Sequence, residues 1–146
     1  MPSIQQSDLH VLVVDDHELT RLSLKLILEK QPNLKLIGSA SNGQEAIEIV
    51  KNHQPDVVII DWNMPVMDGL TASGHIKAIN PQIQIIAHSS CEEAQRQVIV
   101  KHPHIDGICR KEVPNDYLIK MVNQLGQNAL SNCQPQLVTS INSNDH

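Results

Sequence analysis

The chain has 146 residues, of which 40% are hydrophobic and 18% are charged, and its aromatic side chains are one Trp and one Tyr. Its 17 Ile, 14 Leu and 12 Val are enough aliphatic side chains for the core of one domain, and they argue against a disordered chain. The net charge of -5, with no cluster of Lys or Arg, argues against direct binding to nucleic acid or to anionic membranes.

Targeting and redox features are typical of a cytoplasmic protein. No apolar run reaches the roughly 20 residues that cross a bilayer, and the first residues show no basic segment followed by an apolar one. Three cysteines, Cys91, Cys109 and Cys133, are widely spaced and form no CxxC pair. This pattern predicts reduced thiols, with no disulfide framework and no zinc site.

Short aliphatic runs alternate with longer amphipathic stretches. The runs have the length and composition of strands buried on both faces: residues 9–14, 34–37, 57–60, 83–87 and 105–109. Such alternation predicts five βα units, and therefore an α/β fold whose parallel sheet has helices on both faces. We predict an N-terminal extension at residues 1–7 and one domain at 8–126. Residues 127–146, rich in Asn, Ser and Gln, are interpreted as a polar tail or the start of a linker.

Helix start signals precede several amphipathic stretches. Ser41-Asn42-Gly43-Gln44 and Ser90-Cys91-Glu92-Glu93 both match a capping box. Asp68 is predicted to cap the helix that follows it, and Pro114 suits the first turn of the last helix. Residues 19–28 alternate in part like a strand, but their length and their leucines favour a helix. The last helix is predicted to bury one stripe with spacing i, i+4 and i+7: Leu118, Val122 and Leu125.

Polar side chains stand at the predicted carboxyl ends of four strands. Asp15-Asp16 follows the first strand, Asp61 ends the third, Ser89 ends the fourth, and Lys111 follows the fifth. Ligands of open parallel sheets bind outside these ends. A single strand-end Asp is usually a turn or cap residue, but agreement among four strand ends indicates a site.

The charges at these ends predict a metal ion. Three carboxylates within a few ångströms repel by about 4 kcal/mol per pair at ~4 Å and an effective dielectric near 20. Lys111 supplies one compensating charge. A hard divalent ion with oxygen ligands supplies the rest, and carboxylates with a backbone carbonyl and waters suit Mg²⁺.

The chain resembles, at these residues, the receiver domain of two-component response regulators. Ser89 lies 28 residues and Lys111 lies 50 residues after Asp61, as in receivers that precede a helix-turn-helix output domain. The resemblance covers residues 8–126. The matching segments are Val11-Leu12-Val13-Val14-Asp15-Asp16-His17, Ser41-Asn42-Gly43-Gln44-Glu45-Ala46, Asp56-Val57-Val58-Ile59-Ile60-Asp61 and Met64-Pro65-Val66-Met67-Asp68-Gly69.

The resemblance implies a flavodoxin-like receiver fold with strand order 2-1-3-4-5. It also implies that Asp61 accepts a phosphoryl group from a sensor histidine kinase or a phosphotransfer protein. Asp16, Asp61 and the backbone carbonyl of Asn63 would hold Mg²⁺, and Asp15 would act through a water molecule. These roles describe a signalling switch and not an enzyme that turns over a separate substrate.

Two further residues have roles implied by the same resemblance. Lys111 pairs with the phosphoryl group or with Asp61. The Ser89 hydroxyl hydrogen-bonds the bound phosphoryl group and shifts a two-state equilibrium that controls a partner or an output domain, for example in transcription regulation.

Ile108 departs from the family pattern, because receivers usually carry an aromatic residue three positions before the lysine. We interpret Ile108 as a core residue and do not carry over signalling through an aromatic ring. The partners that the resemblance implies include a second copy of the chain, but dimerisation through the face around the fifth strand is not carried over.

Alternative hypotheses remain open. One is a receiver-like binding module that signals without phosphorylation, and another is a metal-dependent hydrolase with an aspartyl nucleophile. Hydrolases of that class require an acidic residue two positions after the nucleophile, whereas the residue two positions after Asp61 is Asn63. His17 is expected in the first helical turn without a role in proton transfer. His102 and His104 are expected in a solvated loop, with no third metal ligand.

Overall fold

A computed structural model describes residues 8–64, 66–90, 97, 99 and 101–131. The predicted N-terminal extension lies outside the described residues, and so does the helix start predicted at Cys91-Glu92-Glu93. The described strands are β1 (Leu9–Val14), β2 (Leu34–Ala40), β3 (Val57–Asp61), β4 (Gln84–Ser89) and β5 (Gly107–Arg110). The described helices are α1 (Glu18–Glu29), α2 (Gly43–Asn52), α3 (Gly69–Ile79) and α4 (Asn115–Ser131).

All five strands are parallel and form one sheet in the order β2-β1-β3-β4-β5, which confirms the predicted order. Parallel strands end at the same edge of a sheet, so the residues after each strand are brought together. Within the described part of the chain, no helix has the length and apolarity needed to cross a membrane.

Helices cover both faces of the sheet. On one face, α1 and α4 pack against β1, β3 and β4, and the predicted α4 stripe of Leu118, Val122 and Leu125 is buried there. On the other face, α2 and α3 pack against the alternate residues of the same strands. The second face is built from smaller helix residues, including Ala46, Val50 and Ala72.

The segment that alternates in part like a strand is the helix α1, as predicted. Leu24 and Leu28 are buried against the sheet, whereas Leu19, Leu22 and Leu26 are exposed. A helix turns every 3.6 residues, so a run of leucines at alternate positions divides between a buried and an exposed face.

The helix caps agree with the sequence in one case and differ in another. Asp68 caps α3, because its Oδ1 accepts a hydrogen bond from the Thr71 backbone N–H at 2.8 Å. The cap of α2 is Asn42 and not the predicted Ser41: Asn42 Oδ1 accepts from the Glu45 N–H at 2.9 Å. Glu45 reaches back to the Ser41 N–H at 2.8 Å. The capping box is therefore shifted by one residue, because Asn is as good a cap as Ser.

Two strand ends agree with the prediction and one extends beyond its apolar run. β3 ends at Asp61 and β4 at Ser89, as predicted, whereas β2 continues to Ala40. Pro114 directly precedes α4 and accepts a hydrogen bond from the Tyr117 N–H at 3.1 Å.

The helix α4 runs to Ser131, so the predicted boundary after residue 126 falls inside it. Residues 127–131 continue the helix, and the rest of the predicted tail lies outside the described residues. Gly126 permits this path, because a Cβ atom there would lie 2.5 Å from Leu9 Cδ1. A polar composition does not end a helix whose preceding turn is held on the sheet.

Candidate functional site

The carboxyl edge of the sheet gathers the polar side chains that the sequence predicted. Asp15 follows β1, Asp61 ends β3 and Ser89 ends β4, and all three are at least 97% buried. Lys111 directly follows β5 and is half-buried. The four strand ends therefore contribute to one pocket, as the parallel topology requires.

Lys111 connects two of the carboxylates. Its Nζ lies 3.0 Å from Asp15 Oδ2 and 3.6 Å from Asp61 Oδ1. Its backbone N–H donates to the Ser89 carbonyl at 3.0 Å, which holds the start of the turn after β5 against the end of β4. One ammonium group thus stands between two buried carboxylates.

The two buried carboxyl groups respond differently to this pocket. Burial raises the pKa of Asp15, but the hydrogen bond from the His17 backbone and the Lys111 ammonium outweigh burial, and the net pKa is lowered. Burial and the nearby Asp15 charge raise the pKa of Asp61 to about 6, against the opposing effect of Lys111. Of these two carboxylates, Asp61 is therefore the one whose charge is less compensated.

The acidic pocket fits a divalent cation. Asp15, Asp16, His17 and Asp61 each offer a ligand atom, and these atoms all lie within 4.8 Å of one another. Asp16 is partly exposed and opens the pocket to solvent. Three carboxylates around one ammonium leave negative charge in excess, and their oxygen donors are those that Mg²⁺ prefers.

Asn63 lies beside the pocket. Its backbone N–H donates to Asp61 Oδ1 at 3.3 Å, which turns the loop after β3 around the carboxylate. The loop is closed further along, where the Gly69 N–H donates to the Trp62 carbonyl at 3.0 Å.

Two residues that sequence reasoning did not assign to the site contact it. The His17 ring, expected to have no role in proton transfer, places Nδ1 3.0 Å from Asp15 Oδ1 and 3.2 Å from Asp16 Oδ1. His17 is the N-cap residue of α1 and not a residue of its first turn. Arg21, one turn into α1, donates from Nη1 to the Asp15 carbonyl at 2.6 Å. The sequence does contain a signal that could have assigned Arg21 to the site, because a basic residue stands in the first helical turn after the acidic pair.

The fifth strand differs from the prediction at Ile108. This residue is only half-buried and belongs to neither of the two core clusters of the described residues. On the face that α4 covers, His88 and Cys109 pair across β4 and β5 and are buried. Burial and the Lys111 charge lower the pKa of His88 to about 4.

The histidines between β4 and β5 lie apart from the acidic pocket. The His102 and His104 rings have centroids 4.9 Å apart. Among the described residues, groups of three or more metal-ligating side chains occur only at the acidic pocket.

Comparison with known proteins places these residues in a family. The family model described as response regulator receiver domain matches residues 11–123. The chain is 28% identical over 137 residues to the nitrate/nitrite response regulator protein NarL of Escherichia coli, covering 92% of this chain and 63% of that protein. It is 52% identical over 80 residues to a protein-glutamate methylesterase/protein-glutamine glutaminase of Pseudoalteromonas atlantica. That match covers 55% of this chain and only 21% of the relative.

Solved structures show the same fold. The signal receiver domain of the putative response regulator NarL from Mycobacterium tuberculosis has a TM-score of 0.73 and 25% identity, covering 84% of this chain and 98% of that one. The response regulator domain of Thermotoga maritima CheB has a TM-score of 0.75 and 28% identity, with coverages of 82% and 97%. The family match begins within β1, runs through β5 and includes all four residues at the strand ends. The chain thus belongs to the receiver domains of two-component response regulators.

Proposed function

We propose that this chain is a phosphoreceiver in which Asp61 accepts a phosphoryl group from a phosphohistidine of a sensor histidine kinase or phosphotransfer protein. The observation that carries the proposal is the position of Asp61. It is a buried carboxylate at the end of β3, beside a second carboxylate and 3.6 Å from an ammonium group. An Asp61 oxygen attacks phosphorus, the phosphorus–nitrogen bond breaks, and the imidazole of the donor leaves.

Asp16, Asp61 and the Asn63 carbonyl would hold Mg²⁺, with Asp15 acting through a water molecule. When bound, Mg²⁺ supplies the positive charge that stabilises the transferring phosphoryl group. The excess of carboxylates over ammonium groups in the pocket supports this assignment.

Lys111 and Ser89 act on the phosphorylated form. Lys111 already lies beside Asp61, so its ammonium group is placed to pair with the new phosphoryl oxygens. The Ser89 hydroxyl, at the end of the neighbouring strand β4, would donate a hydrogen bond to the phosphoryl group. Phosphorylation then shifts a two-state equilibrium at the end of β4 that controls a partner or output domain. A relative named as a transcriptional regulatory protein, DegU of Brevibacillus brevis, makes transcription the favoured output.

The cytoplasm is the proposed location, because the buried Cys109 is a free thiol and kinase partners of this kind present their phosphohistidine there. The chain itself turns over no separate substrate and only loses its own phosphoryl group slowly. Partners are proteins, and a homodimer is compatible with the domain.

The test is phosphorylation by acetyl phosphate, followed by intact mass. With Mg²⁺ the chain is expected to gain one phosphoryl group, and with EDTA or with Asp61→Asn it gains none. Asp116→Asn, an exposed carboxyl in the first turn of α4, is the matched control and is expected to label normally. Equal labelling of the Asp61→Asn variant would contradict the proposal. Full cellular output from that variant would favour a phosphorylation-independent binding module.

A further inference from the structure

His17 sits where β1 passes into α1 and turns its ring towards the acidic pocket. Its backbone is extended, with φ -93° and ψ 116°, and its side chain makes no capping hydrogen bond to α1. The side chain is 65% exposed, yet Nδ1 lies between carboxylate oxygens of Asp15 and Asp16. The ring is therefore held by the pocket and not by the helix that it precedes.

The ring approaches the pocket from the side that Lys111 does not occupy. Lys111 Nζ faces Asp15 Oδ2 at 3.0 Å, whereas His17 Nδ1 faces Asp15 Oδ1 at 3.0 Å. The two basic groups therefore bind different oxygens of one carboxylate. An ion placed beside Asp15 Oδ1 and Asp16 would contact the histidine and leave the lysine free to face Asp61.

The distances among these atoms suit a shared ion. Neighbouring ligands of one ion lie roughly 3 Å apart when each bond to the metal is about 2.1 Å. His17 Nδ1 is 3.0 Å from one carboxylate oxygen and 3.2 Å from another. The more than nine-tenths-buried carboxylate of Asp61 faces the same cluster, with its nearest ammonium group 3.6 Å away.

We propose that His17 Nδ1 is a nitrogen ligand in the acidic pocket, so that the pocket takes imidazole-binding divalent ions such as Zn²⁺ as well as Mg²⁺. Mg²⁺ selects oxygen donors, whereas an imidazole adds affinity for Zn²⁺ and its neighbours in the transition series. The inference rests on the proposed function only in that both place a divalent ion among the same carboxylates. It adds a means by which zinc competes with magnesium at the phosphorylation site.

The test is direct binding of Zn²⁺ and Mg²⁺ to the full chain freed of metal, near neutral pH. Calorimetry gives both affinities, and the fluorescence of the half-buried Trp62, next to Asp61, reports binding at this site. His17→Gln is expected to weaken Zn²⁺ binding by about tenfold or more and to change Mg²⁺ affinity by much less. Excess Mg²⁺ is expected to weaken Zn²⁺ binding to the unsubstituted chain.

Two further variants complete the experiment. His17→Ala removes the ring without supplying an amide oxygen, and it is expected to match His17→Gln for Zn²⁺. His75→Gln, an exposed histidine of α3, is the control and is expected to leave both affinities unchanged. Zn²⁺ affinity that is the same with and without His17 would overturn the proposal and leave His17 as a charge partner only. If His17 governs Zn²⁺ affinity but acetyl phosphate never labels Asp61, the proposed function fails and this inference stands.

Discussion

At the scale of single residues, Asp15 and Asp61 are almost equally buried, yet their pKa values shift in opposite directions. Asp15 accepts the His17 backbone N–H at 2.9 Å and faces Lys111 at 3.0 Å. The corresponding contacts of Asp61 are longer, at 3.3 and 3.6 Å. A carboxylate loses hydration on burial, and only close donors restore its ionised form. Asp61 consequently keeps the less compensated negative charge of the two, and with it the stronger attraction for a cation.

Arg21 shows a second way in which single residues support the pocket. Its guanidinium holds the carbonyl of Asp15 at 2.6 Å from within α1. The peptide that joins the two acidic residues is thereby fixed to a helix. A loop tied in this way presents its carboxylates with little loss of conformational freedom on binding.

Cys109 offers a pH-dependent test of burial on β5. Burial raises the pKa of its thiol from 9.0 to about 11. Because folding raises this pKa, the thiol's contribution to stability is complete below about pH 9 and is lost as the pH approaches 11. We expect the free energy of unfolding to fall by about 1 kcal/mol more between about pH 7 and pH 10 in the unsubstituted chain than in Cys109→Ala.

Urea unfolding at several pH values measures this difference. The variant carries the same lysines, tyrosine and other cysteines, so their titration cancels in the comparison. Parallel pH profiles of the two proteins would show that the Cys109 thiolate is not suppressed by folding.

At the scale of elements, the start of α3 packs against the loop that follows β3. Asp68 caps the helix, and the Gly69 N–H bonds the Trp62 carbonyl. A Cβ atom on Gly69 would lie 2.8 Å from the Asp61 carbonyl oxygen and 3.0 Å from Trp62 Cα. Both neighbours are backbone atoms, which cannot rotate away as a side chain can.

We therefore expect Gly69→Ala to lower the free energy of unfolding by about 1–3 kcal/mol, as overpacking against a fixed neighbour does. It should also slow phosphorylation of Asp61, because the loop after β3 must shift. Urea unfolding and acetyl phosphate labelling measure the two effects.

Gly74→Ala in the same helix is the matched control. Its Cβ would meet the His104 ring at an ordinary 3.7 Å. Without a close contact, replacing Gly with Ala inside a helix is expected to raise the free energy of unfolding by about 0.5–1 kcal/mol. If Gly69→Ala and Gly74→Ala changed the free energy of unfolding in the same direction, that result would contradict the close approach at Gly69.

The elements also show what sequence patterns could predict. The leucine-rich α1 and the Asp68 cap followed from local spacing, and the structure confirms both. The choice of Asn42 over Ser41 did not follow, because both residues can cap and Glu45 can reach back from either register. The helix α4 continues to Ser131, past the change in composition after residue 126, because a polar composition does not by itself end a helix.

At the scale of the whole molecule, the contribution of a leucine in α1 to the free energy of unfolding depends on whether it lies on the buried or the exposed face of the helix. Leu28 is fully buried in the cluster between α1, α4 and the sheet, whereas Leu19 is 79% exposed. Removing buried methyl groups leaves a cavity as well as losing apolar transfer.

Leu28→Ala is expected to lower the free energy of unfolding by about 2–5 kcal/mol. Leu19→Ala, in the first turn of the same helix, is expected to change it by no more than about 0.5 kcal/mol. Urea denaturation of both variants is the measurement. Comparable losses would mean that the outer face of α1 is covered in solution.

The sequence by itself determined the order of the elements, the parallel sheet and the four strand ends that meet at its edge. Hydrophobic periodicity and the constraints on parallel connections are sufficient for that, because they depend on residue order alone. Only the tertiary structure decided how Lys111 divides between Asp15 and Asp61, and brought His17 and Arg21 to the pocket. Those contacts depend on side-chain directions at the β1–α1 junction and on how α1 packs against the sheet, and neither is encoded in a local pattern.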